Sequence, residues 1–88
     1  MPGPVDALED APMYEAELKL MGIEVTVPYL SSLRLREYRN PEKDMLHYIA
    51  VTLRKDGTIT VWDIGYERLD YSGWEETFSF IRGRLLGL

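Results

Sequence analysis

Residues 46–65 read LHYIAVTLRKDGTITVWDIG, two alternating runs around a tight turn. The turn fixes the register. In Arg54-Lys55-Asp56-Gly57-Thr58, a type I turn followed by Gly57 in the left-handed region gives a three-residue loop with a bulge. This pairs Arg54 with Thr58 and sets Val51 opposite Val61. One face of the hairpin then carries Ile49, Val51, Leu53, Ile59 and Val61, and the other carries Tyr48, Ala50, Thr52, Thr60, Trp62 and Ile64. A two-residue type I′ turn at Asp56-Gly57 would slip the register by one and bring Trp62 beside Val51 and Leu53. In either register one face is aliphatic and the other is too apolar to be a simple wet face, so the second face needs a cover.

Upstream, residues 33–39 read LRLREYR, with Leu33, Leu35 and Glu37 alternating with Arg34, Arg36 and Tyr38. This spacing predicts a strand with an Arg-Arg-Tyr outer face. Asn40-Pro41 starts the connection to the hairpin, because Asn favours turn starts and Pro lacks the ladder N–H. Further upstream, Tyr14, Ala16, Leu18 and Leu20 alternate with Glu15, Glu17 and Lys19, and Ile23, Val25 and Val27 alternate with Glu24 and Thr26. Both read as strands, joined by a turn or bulge at Met21-Gly22. A turn there would put Met21 at positive φ, which its side chain tolerates poorly. The competing reading of residues 13–21 is a helix capped by Asp10, with Pro12 in its first turn and Gly22 at its end. Residues 1–12, MPGPVDALEDAP, have three prolines and no hydrophobic period, and read as a flexible arm.

Downstream, Ser72 and Glu75 have the spacing of a capping box, and Trp74, Phe78, Ile81 and Leu85 recur at helical spacing. Glu75 and Glu76 at the start and Arg82 and Arg84 near the end suit the helix dipole. Gly83 weakens such a helix by about 1 kcal/mol relative to Ala.

The chain of 88 residues is the size of one domain and carries a formal charge of −5. Residues 1–32 carry six acids (Asp6, Glu9, Asp10, Glu15, Glu17, Glu24) against one base, Lys19, while residues 33–58 carry six bases against four acids. The acidic balance disfavours nucleic acid and anionic membranes at long range. Cysteine is absent, so no disulfide or thiolate chemistry is available. No apolar run is long enough to span a bilayer, and the first residues lack the pattern of a signal peptide, so the expected compartment is the cytoplasm.

Motifs for chemistry are lacking. The single histidine, His47, has no nucleophile or orienting carboxylate identifiable from spacing. The acids Glu15, Glu17, Glu75 and Glu76 read as solvated faces, and Asp63, Glu67 and Asp70 lack the spacing of a calcium loop. No phosphate-cradling glycine motif occurs. The chain is therefore expected to be no enzyme, with no catalytic residue, cofactor, metal or small-molecule substrate.

These readings combine into an α+β fold: a mainly antiparallel meander of four or five strands with one C-terminal helix on one face. The flexible arm spans residues 1–12 and a single domain spans 13–88. One helix covers one face of such a sheet and leaves the aromatic face open. Tyr, Trp and Arg are enriched in interface hot spots. The expected function is a small non-enzymatic interaction module, either a homodimer or a subunit, adaptor or inhibitor of a larger protein. Its partner-binding residues would be Tyr48, Trp62, Ile64, Arg34, Arg36 and Tyr38. The alternative is a single-stranded nucleic-acid module in which bases stack on Tyr48 and Trp62 and Arg34, Arg36 and Arg39 follow the phosphates.

Overall fold

The computed structural model describes residues 6–28, 34–64 and 67–88. Its elements are α1 (Ala7–Leu20), β1 (Glu24–Thr26), β2 (Leu35–Arg39), β3 (Tyr48–Leu53), β4 (Ile59–Asp63), β5 (Glu67–Tyr71) and α2 (Trp74–Leu86). The strands form one antiparallel meander in the order β1-β2-β3-β4-β5. The α+β class, the meander and the C-terminal helix are as the sequence implies.

The hairpin at the centre has the register set by the three-residue loop. Val51 pairs with Val61 and Leu53 with Ile59. The Arg54 N–H donates to the Thr58 carbonyl at 3.1 Å, and Gly57 has φ +88. Asp56 accepts from the Thr58 N–H at 2.9 Å and so closes the turn from its side chain.

Residues 14–20 are helix, not strand. Asp6 caps α1 by accepting from the Leu8 N–H at 2.9 Å. At the other end Gly22, at φ +92, turns the chain out, with the Ile23 N–H on the Leu18 carbonyl and the Gly22 N–H on the Lys19 carbonyl, both at 3.0 Å. That pair of bonds is a Schellman motif, and its hydrophobic contact is made by the buried Leu18 and Ile23. The alternation at 14–20 misleads because Ala16 and Leu20 point to solvent, while Ala7, Ala11, Glu15 and Leu18 form the buried stripe. Residues 7–12, read from sequence as part of an arm, are the first turns of α1, with Ala7 and Ala11 in the core. Residues 1–5 of that arm lie outside the described residues.

The fifth strand is β5, a segment to which the sequence pattern assigns no strand. The count of five thus arises from a different set of strands. At α2, the Ser72 capping box is not formed: the helix is capped at Gly73 without a side-chain bond, and the Ser72 hydroxyl instead donates to Glu76 Oε1 at 3.3 Å. The apolar stripe holds. Trp74, Phe78, Ile81 and Leu85 are all buried.

Both helices lie on the same face of the sheet. They close over Ile49, Val51, Leu53, Ile59 and Val61, each at most 1% exposed. The helices are tied together by Trp74, whose ring stacks on Tyr14 at 5.3 Å and whose Nε1 donates to the Ala7 carbonyl at 2.8 Å. The β2–β3 connection holds the far end of α2. Asn40 Nδ2 and Lys43 Nζ each donate, at 2.9 Å, to the Leu85 and Leu86 carbonyls left open at the helix C-terminus.

Candidate functional site

Opposite residues of antiparallel strands share a face. Tyr48 pairs with Arg39, Ala50 with Glu37 and Trp62, Thr52 with Leu35 and Thr60, and Trp62 with Arg68. These residues therefore form the face turned away from both helices. Trp62 is 43% exposed and Ile64 38%.

What covers this face is arginine. The Arg39 guanidinium lies over the Tyr48 ring and that of Arg68 over the Trp62 ring, each 5.2 Å from the centroid. Arg54 reaches across to donate to the Thr60 hydroxyl at 2.7 Å, and Thr60 is buried beneath it. Glu24 and Asp70 sit 3.9 and 3.8 Å from Arg39 and Arg68. A planar guanidinium on an aromatic face shields the ring while leaving its own edges available for hydrogen bonds. The Arg39 Nε is buried there without an acceptor among the described residues.

Of the residues predicted to bind a partner, Tyr48, Trp62 and Ile64 share this face. Arg34, Arg36 and Tyr38 do not, and this corrects the expected Arg-Arg-Tyr outer face. Arg36 pairs with Val51 and Tyr38 with Ile49, so both point under the helices. There the Glu15 carboxylate of α1 accepts from the Tyr38 hydroxyl at 2.8 Å and from Arg36 Nε at 3.1 Å. Burial, then Glu15, pushes the Tyr38 phenol well above its ordinary range. Arg34, just before β2, forks onto Asp6 with contacts of 2.6 and 2.8 Å, which joins the entry to β2 to the α1 cap. The arginines grouped by the sequence thus divide between two faces: Arg34 and Arg36 serve the helix-sheet joint, and Arg39 serves the open face.

His47 also differs from expectation, since it has a carboxylate beside it. Asp63, whose side chain is fully buried, accepts from Arg84 at 2.8 Å and lies 2.6 Å from His47 Nε2; Arg84 also pairs with Glu67. Asp63 faces the helices at the end of β4, where it anchors α2 to the strand ends. Sixteen residues separate His47 from Asp63, and only the hairpin register, which sets Ile49 opposite Asp63, brings them close. Among the described residues no cluster of His, Asp and Glu could hold a metal ion, and no helix is long and apolar enough to cross a membrane.

The chain matches no family model, no curated protein and no solved structure.

Proposed function

We propose that the protein is a small, non-enzymatic interaction module that docks through the open sheet face centred on Trp62. The observation that carries this reading is the placement of both helices on one side, with Trp62 left 43% exposed on the other beside Tyr48 and Ile64. Large rings packed against arginines are partly ordered before contact, which lowers the side-chain entropy cost of docking there.

The charge pattern of the face favours a second copy of the chain as occupant. Arg39 and Arg68 alternate with Glu24, Glu37 and Asp70, a mixed pattern that can complement itself about a two-fold axis. A larger protein, for which the chain would be a subunit, adaptor or inhibitor, is the other occupant of the same face. The single-stranded nucleic-acid reading loses force, because Arg34 and Arg36 are engaged on the opposite side and, among the described residues, Arg39 and Arg68 alone lie over the rings.

Sedimentation over a wide concentration range, followed by titration with a single-stranded oligonucleotide at two salt concentrations, separates these readings. The proposal expects concentration-dependent association that weakens only mildly with salt, because aromatic contacts carry most of it. Oligonucleotide binding that weakens steeply with salt would favour nucleic acid instead.

A further inference from the structure

The sheet has a second unoccupied feature, the β5 edge beside the strand of Trp62, with a groove on the helix side. β5 is an edge strand of five residues, paired only with β4 among the described residues. An edge strand presents backbone N–H and C=O groups to any extended chain that lies alongside. Beside this edge, Tyr71, Glu75, Glu76, Ser79 and Phe80 line an open groove of about 540 Å³. Its floor is aromatic, with the Tyr71 and Phe80 rings 5.8 Å apart, and its rim is acidic.

The charges of this corner are not all neutralised internally. Arg84 is committed to Asp63 and Glu67, and Arg68 lies over Trp62 near Asp70. Glu75 and Glu76 are exposed and take part in no ion pair among the described residues. The Tyr71 phenol registers the surroundings: burial first, then Glu67, with a smaller part from Glu76, raises it above its ordinary range. Phe80 already accepts a cation, because the Arg84 guanidinium lies 4.9 Å from its ring centroid.

We propose that the β5 edge and the Tyr71–Phe80 groove together form a docking site for an extended, lysine- or arginine-bearing segment of another protein. The segment adds as a sixth strand, and its alternate side chains reach the groove, where carboxylates and ring faces receive their charges. Strand addition accounts for affinity without sequence preference, and the groove adds selection for positive charge. Arg68 of β5 lies over Trp62, but the groove is on the opposite side of the sheet, so the two docking surfaces are told apart by whether Tyr71, Glu75, Glu76 and Phe80 or Trp62 and Tyr48 respond.

The test is an NMR titration of the isotope-labelled full chain with a blocked octapeptide alternating lysine and valine. Saturable shifts confined to residues 67–71 and 74–80, with slowed exchange of β5 amides, are expected. Two controls divide the contributions. An N-methylated octapeptide, which keeps the charge but cannot pair along the edge, should bind about tenfold more weakly, as should the Glu75→Lys/Glu76→Lys variant with the original peptide. Both residues are exposed, so the variant should keep the wild-type spectrum elsewhere; if it does not fold, Glu75→Gln/Glu76→Gln should still weaken binding several-fold. No saturable binding, shifts centred on Trp62 and Tyr48, or undiminished binding in either control would overturn the proposal.

Discussion

The Tyr38 hydroxyl donates to Glu15 Oε2 at 2.8 Å in the interior, and through that bond α1 is fixed to β2. Arg36 Nε shares the same oxygen at 3.1 Å. The side chains of Arg36 and Glu15 are only 11% and 10% exposed, so each offsets much of the other's lost hydration. Breaking a buried pair from one side leaves an uncompensated charge, whereas replacing both sides together costs much less. Glu15→Ala should therefore lower stability by about 3–5 kcal/mol. The double variant Glu15→Leu/Arg36→Leu should recover part of that loss in chemical denaturation, and a double-mutant cycle with additive losses would rule out the coupling.

That pair also explains what the sequence disclosed and what it hid. Alternation at 33–39 correctly grouped Arg36 and Tyr38 on one face. It could not show that the face is internal, because the carboxylate that makes burial tolerable lies in α1, twenty-one residues from Arg36 and in a segment whose alternation imitates a strand. Two misreadings were thus one: with residues 14–20 as strand, no helix was available to cover Arg36. The hairpin was legible because its turn is local, with Asp56 and Gly57 dictating the register. The Trp62 face followed from that register, while the arginine roof over its rings depends on strand pairings that no local signal specifies. β5 was hidden because ERLDY shows only two apolar residues, Leu69 and Tyr71, alternating with charges, too short a run to signal a strand.

Gly57 supplies the left-handed backbone at the central turn, with φ +88. Gly57→Val should destabilise the fold by roughly 1–2 kcal/mol or more, since a β-branched residue is strongly disfavoured there. An unchanged melting temperature would contradict the turn.

Trp74 and Phe78 are 5% and 9% exposed and both contact the Tyr14 ring. Trp74→Ala and Phe78→Ala should each cost about 3–5 kcal/mol. For Trp74 the loss includes the bond to the Ala7 carbonyl, so its variant should also loosen α1, seen as faster amide exchange in residues 7–11.

Asp6 makes stability depend on acid. The hydrogen bond from Arg34, then that from the Leu8 N–H, holds its carboxyl down to about 2. A carboxyl whose folded pKa lies below the unfolded one contributes stability that is fully present above the unfolded value and is lost as pH falls through the folded one. Part of the stability should thus disappear between about pH 4 and pH 2, the interval set by the ordinary aspartate value and the depressed one. Asp6→Asn keeps a competent cap but removes the ion pair, and should flatten the pH dependence of the melting temperature across that interval. An identical slope in the variant would contradict the Asp6–Arg34 linkage.

The central claim is that the sheet face opposite the helices is an interaction surface, and Trp62 is its most exposed large ring. Sedimentation velocity on wild type and Trp62→Glu, with circular dichroism to confirm folding, tests it most directly. The account predicts a self-associating wild type and a folded, strictly monomeric variant. A Trp62→Glu protein that is folded and associates as the wild type does, or one that unfolds because the ring was needed inside the monomer, would contradict it.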